Sequence, residues 1–275
     1  MIRGVLRLHR TALIVWIAFV LGSVAYLVWL TEVTADDVQA TLDACRDTSA
    51  RYCGFGASRD YSGPMGWVST FMYYSFWAVA AWSSAALIGR ELESGTARLA
   101  WTQDISPTRW LAAKLAVPAL VLIAGGALFV PVFRWAWSAH RDLMGDDWSF
   151  ADVFAARGPL VVAYGLCALA VGALTALVVR RSLPAAAIAV AVVIVLNRYV
   201  EKYREEYWPA VTGTAHNNDW STGYGTYHPQ SHYWPLHLVE TGIVLAVAAL
   251  ATLAAFLLLR HRTRPARTPR QESPA

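Results

Sequence analysis

Long apolar runs alternate with short polar stretches along this chain, and the runs set its architecture. A helix needs roughly 20 apolar residues to cross a hydrocarbon core, because lipid offers no partner to backbone amides and carbonyls. Six runs qualify, at 11–30, 67–88, 111–133, 159–179, 183–200 and 238–259, the fifth being short and Ala-rich. Within them the ionisable Asp, Glu, Lys or Arg residues are Lys114, Arg198 and Glu240, each near enough to an end to reach the interface. The pattern predicts an all-α integral membrane protein with six transmembrane helices. It forms a single transmembrane domain over 1–262, followed by an Arg-, Pro- and Thr-rich segment, 263–275, that reads as a disordered cytoplasmic tail touching anionic lipid.

Composition agrees. With 56% hydrophobic and 15% charged residues among 275, a soluble domain would lack the polar material to cover its surface. Most of the 23 Lys and Arg residues fall on one side of the six-span reading: Arg3, Arg7, Arg10, Arg90, Arg98, Arg109, Lys114, Arg180, Arg181 and the five arginines from Arg260 to Arg270. The positive-inside rule puts that side, and with it both termini, in the cytoplasm. Most acids lie opposite; only Glu91, Glu93, Asp104 and Glu272 join the cations. The basic balance is therefore a topology signal for a multi-pass plasma-membrane protein, and no nucleic-acid footprint.

The first run is too long for a cleaved signal peptide and stays apolar through "SVAYLVWL", which favours an uncleaved anchor. Ahead of it, "MIRGVLRLHR" suits either a short interfacial helix or a basic flank. Cys45 and Cys53 share the first outer loop, where an oxidising compartment allows a disulfide; Cys167 lies in the fourth run and reads as core.

The most charged part of the middle is "GRELESGTARLAWTQDISPTRWLAAKL", joining the second and third runs on the inner side. Its charges exclude it from hydrocarbon. Thr96 to Gln103 can form a short helix after the turn "ESGT". Ser106 then caps a new start with Pro107 in its first turn, opening the third span near Thr108. A cytosolic helix is thus held between two transmembrane helices.

This stretch resembles the first cytoplasmic loop of permease subunits of type-2 ATP-binding-cassette (ABC) exporters, especially the six-span actinobacterial group. There an acidic "RELE" and Gly-Thr precede "LAWTQ" and a basic "RTRWLxxKL". The chain matches at Arg90, Glu91, Leu92, Glu93, Gly95, Thr96, Leu99, Ala100, Trp101, Thr102, Gln103, Arg109, Trp110, Leu111, Lys114 and Leu115. "HPQSHYWPLHLVE" is similar to the family's "QPASRFWPLQLIE" before the last span, departing at His232 and His237. The paired outer cysteines also fit the group. The resemblance implies that the loop is a coupling element that docks on a separate cytosolic ATPase, with Glu91, Glu93, Thr96, Arg98, Trp101 and Gln103 as candidate contacts and Arg109 and Lys114 anchoring the third span at the inner headgroups. It also implies two permease copies, or one copy with a related partner, around a central path.

The residues themselves support that division of labour. A phosphate-binding P-loop needs Gly-x-x-x-x-Gly-Lys-Ser/Thr, and neither of the chain's lysines, Lys114 and Lys202, follows such glycines. No cofactor is expected on this chain, ATP being bound by the partner, and no enzymatic activity. An integral-membrane redox protein would need paired His ligands within spans, and none is there. A sensor or assembly subunit that binds an ATPase without moving cargo is the alternative.

In the second run Tyr73, Phe76, Trp77 and Ser84 could line a path for an amphipathic substrate, or pack against neighbouring helices. Ala168, Gly172 and Ala176 form a small-x-x-x-small row, suited to an internal contact or a dimer seam. The outer loop 198–237 is rich in aromatics, Gly and His, but His216, Asp219, His228 and His232 have irregular spacing, and no metal site is expected. There "YREEYW" and "SHYWPL" read as short interfacial or re-entrant pieces, and Glu240 as a satisfied interface acid.

Overall fold

The structure, a computed structural model, describes residues 10–46, 56–103, 105–144, 148–215 and 219–263. Nine α-helices occur among these residues: α1 (Arg10–Trp29), α2 (Ala35–Arg46), α3 (Arg59–Glu93), α4 (Thr96–Thr102), α5 (Pro107–Ala139), α6 (Ala151–Ala156), α7 (Leu160–Val179), α8 (Ser182–Lys202) and α9 (Tyr233–Thr263). Six helical stretches are long and apolar enough to cross a membrane: Arg10–Cys45, Arg59–Glu93, Pro107–Ala139, Leu160–Val179, Ser182–Lys202 and Gln230–Thr263. These are the first to sixth spans below.

All six apolar runs became helices, and four of these exceed their runs by ten residues or more. The 35 residues of α3 extend about 52 Å at 1.5 Å per residue, well beyond a hydrocarbon core of about 30 Å. Such helices carry polar ends into the aqueous layers, and those ends build the two polar regions described below. The first span does not stop at Trp29. A π-helical turn, Leu30–Thr34, inserts a wider loop of backbone and passes directly into α2. There the Thr31 hydroxyl donates to the Leu27 carbonyl at 2.8 Å, while Nε2 of His140 sits 3.1 Å from the Thr31 carbonyl.

The fourth span, α7, is the axis of the bundle, and α3 packs along it. Lipid is as apolar as leucine, so helices associate here through close fit. A Cβ on Gly172 would lie 2.1 Å from Ser84 Oγ and 2.8 Å from the backbone oxygen of Ala81, so only glycine admits this approach. The row Ala168, Gly172, Ala176 is therefore an internal seam, buried against the second span.

One end of the bundle holds α4 and the α7–α8 turn; we call it the elbow end. The opposite, cap end holds the short buried helix α6, a 3₁₀ turn at Arg204–Tyr207 and a three-stranded antiparallel sheet. Its strands β1 (Val211–Thr212), β2 (Trp220–Gly223) and β3 (Thr226–His228) lie in the order β1-β3-β2. Val211 pairs with Tyr227 and Trp220 with His228. This small sheet is an addition outside the spans to a fold that is all-α, as the apolar runs predict. Within "WSTGYGTYH", Gly225 at φ +73° makes the reversal that the strands need.

Candidate functional site

The elbow begins where α3 ends. Gly95, at φ +74°, turns the chain in a left-handed conformation that side chains resist, and α4 follows at once. After α4, Ser106 Oγ accepts from the Arg109 amide at 3.4 Å and Pro107 occupies the first turn of α5. The short helix, its entry turn and its exit cap are thus where the sequence places them, with α5 opening at Pro107.

The two acids of "RELE" both bond to neighbouring helices. Glu91 accepts from Trp110 Nε1 at 2.7 Å and from Lys114 Nζ, both on α5. Its side chain keeps 28% of its surface in solvent and that of Lys114 only 6%. Lys114 is therefore no headgroup anchor: it is a buried counter-ion that holds the second span to the third. Glu93 accepts from the Ser182 amide at 2.8 Å and from Ser182 Oγ at 3.1 Å. That amide opens α8, and a helix leaves its first amides without internal partners. Glu93 is thus an N-cap supplied from another helix, since Arg181, at the ordinary capping position, makes no side-chain cap. The contact is possible because a Cβ on Gly89 would lie 2.6 Å from the Ser182 Cα.

Across the same end, Arg262 on α9 donates to the Leu177 carbonyl in the last turn of α7. Second, third and fifth spans are joined by acids, and fourth and sixth by an arginine. Trp101 stands edge-on to Trp110, with centroids 5.6 Å apart, and is half-buried. The Thr96 hydroxyl shares a 2.9 Å hydrogen bond with Ser94. Arg98, Leu99, Thr102 and Gln103 are exposed, Leu99 keeping 59% of its surface. Of the six expected contact residues, then, Glu91 and Trp101 are partly buried against the bundle, Glu93 is exposed but bonded to α8, and Thr96, Arg98 and Gln103 lie open. Leu99 was not among the six, although with Trp101 it is one of the two large apolar residues of this short helix.

Tyr73, Phe76, Trp77 and Ser84 are buried in the packing seam of α3. Phe76 meets Trp16 edge-on at 5.1 Å, Tyr73 meets Tyr164 at 5.8 Å, and Ser84 Oγ donates to the Ala80 carbonyl at 3.1 Å. None of the four lines the apolar cleft of about 300 Å³ between the first three spans, whose lining includes Trp16, Val79, Trp82, Ala86 and Pro118.

The cap end carries the most deeply buried charge. Arg204 donates from Nε to Glu240 Oε2 at 2.7 Å and from Nη2 to Oε1 at 3.3 Å, with side-chain exposures of 3% and 0%. Tyr164 Oη adds a bond to Oε1 at 3.1 Å, and the guanidinium also reaches the Ser149 carbonyl. Beside it Asn197 donates to Tyr73 Oη. Burial pulls the Arg204 pKa down, but the Glu240 carboxylate leaves it above its ordinary value, so the guanidinium stays charged. Burial, and then Glu240, push the Tyr207 hydroxyl up and keep it neutral. Glu240 is satisfied, as its reading required, though in the protein interior and by Arg204. Sequence could have suggested a counter-ion among Arg198, Lys202 and Arg204 without choosing between them.

Cys45 is disulfide-bonded; Cys53, its expected partner, lies outside the described residues, as do His216 and the tail after Thr263. Cys167 is free and buried. Among the described residues no three His, Cys, Asp or Glu side chains group as metal ligands would.

Six membrane-length helices around a glycine-notched axis, with a polar helical elbow at one end, define a multi-pass membrane protein. Residues 17–204 match the model of the family described as ABC-2 membrane transporter related. The chain belongs to that family, which makes it a permease component of an ABC transporter. No curated protein and no solved structure matches it.

Proposed function

We propose that the chain is the permease subunit of an ABC exporter in the plasma membrane, with both termini and the elbow in the cytoplasm. A separate cytosolic ATPase binds the nucleotide and drives it. The permease works as two copies or with a related partner. The observation that carries this reading is the double attachment of the elbow: Glu91 ties it to the third span and Glu93 to the fifth, while Leu99, Thr102 and Gln103 present an open face.

The residues of the elbow divide into two tasks. Leu99, Thr102 and Gln103, with Thr96 at the edge, form the docking face. Glu91 and Glu93 transmit. A push on α4 displaces the end of α3, and the two carboxylates pass that displacement to α5 and α8 instead of letting it dissipate in a loose loop. Since interfaces packed at this density respond as units, small shifts at the elbow become span movements.

Reconstitution of the chain with its ATPase tests the assignment. Leu99→Glu abolishes co-purification of the ATPase. Glu93→Ala retains the complex but lowers transport-linked hydrolysis about tenfold. Labelling of a cysteine at position 99 by an impermeant reagent added outside intact cells would exclude the reading, because no cytosolic ATPase could then reach the elbow.

A further inference from the structure

Behind the elbow lies a crevice of about 100 Å³, between α4 and the ends of the fourth and sixth spans. Arg98 enters it from α4, Arg180 from the α7–α8 turn and Arg262 from α9, over a floor that includes Leu177 and Leu259. Trp101 also lines it, and its Nε1 is buried with no hydrogen-bond partner. Arg262 spends one nitrogen on the Leu177 carbonyl. Among the described residues, the guanidiniums of Arg98 and Arg180 make no hydrogen bond or ion pair. The one carboxylate in the lining, Glu91, is already held by Lys114 and Trp110. Three cations and an idle indole N–H therefore converge on one small space.

Backbone geometry adds an independent sign. Arg180 sits just past the last turn of α7 at φ +58°, and it is the only residue other than glycine with positive φ among those described. Helices that end this way overwhelmingly use glycine, whose missing Cβ removes the strain. A bulky arginine there costs stability, and strained residues of this kind persist where their side chain is needed.

We propose that this crevice binds the phosphate oxyanion of an anionic headgroup. The volume is well below the roughly 300–1,000 Å³ of pockets that hold whole small molecules, which suits a phosphate group and excludes a nucleoside or an acyl chain. Guanidiniums match phosphate geometry in paired hydrogen bonds, and the indole N–H supplies a further donor. Basic pockets between transmembrane helices at a membrane surface are where lipid headgroups bind. A phosphate seated there cross-links the elbow to the fourth and sixth spans, which the acids do not reach. That regulatory consequence rests on the coupling reading of the elbow; the binding itself does not.

Native mass spectrometry of the full chain, delipidated in detergent, tests the site with three probes: phosphatidylglycerol, phosphatidylcholine and inorganic phosphate. We expect one phosphatidylglycerol to be retained at least fivefold over phosphatidylcholine. Competition by inorganic phosphate at equal potency would assign the same site to a soluble phosphate source. Arg180→Gly is the decisive variant: it relieves the left-handed strain, so it raises the melting temperature while cutting the preference to near unity. Arg98→Gln, on the exposed elbow, lowers it severalfold without affecting stability. Binding of neither phosphatidylglycerol nor phosphate by the wild-type chain, or a preference that survives the double variant Arg98→Gln/Arg180→Gly, overturns the proposal.

Discussion

The two ends of the bundle both spend charge inside an apolar protein, but they spend it differently. At the cap, Arg204 and Glu240 are sealed from solvent, satisfy one another twice and gain Tyr164 as a third partner. At the elbow, Glu91 stays partly wet, and Glu93 bonds at an exposed surface to a backbone amide. A sealed pair can dissolve only by placing bare charge in a low-dielectric medium, which fixes the cap against motion. The elbow's bonds exchange with water at modest cost, so they can be loaded and released. The contrast separates a foundation from a linkage.

The largest effect should come from breaking the foundation halfway. Arg204→Leu or Glu240→Leu leaves one ion uncompensated and should lower stability by about 3–5 kcal/mol, while the double leucine variant recovers most of the loss. Thermal unfolding in one detergent, read for all three variants, checks this; equal losses in the single and double variants would refute the sealed-pair account. Next comes the seam on which both ends depend. Gly172→Ala forces a methyl against Ser84 and the Ala81 carbonyl and should cost about 1–3 kcal/mol by the same measurement.

At the linkage the effect on stability is smaller and the effect on communication larger. Glu93→Ala uncaps α8 at a cost of about 1 kcal/mol. Hydrogen exchange should show faster opening confined to the first turn of α8, and slow exchange at Ser182 in that variant would break the comparison. The smallest effect belongs to the cap's outer rim. Tyr224, wholly exposed at the tip of the sheet, should tolerate serine within about 0.5 kcal/mol.

Much of this architecture is legible in sequence, because solvent dictates it: lipid demands unbroken helices, so every run longer than a bilayer became one. The elbow was legible too, since Gly95, Ser106 and Pro107 are local signals that act within one turn. What sequence did not show is which way a side chain faces once tertiary neighbours arrive. Glu93 looks like a surface acid until Ser182 comes to it from 89 residues away, a meeting decided by the small volume of Gly89. Tyr73 and Ser84 look like pore residues until α7 covers them. Lys114 looks like a headgroup anchor until Glu91 reaches it. The sheet escaped notice for another reason: its strands are two to four residues long, too short for alternation to stand out from a loop.

The trans-supplied cap on α8 also constrains how the polypeptide assembles. The donor amide and its carboxylate belong to helices far apart in the sequence, and at this exposed surface water serves the amide until the two meet. The second span thus offers the fifth a directional contact worth about 1 kcal/mol, which favours this neighbour over any that brings no acid.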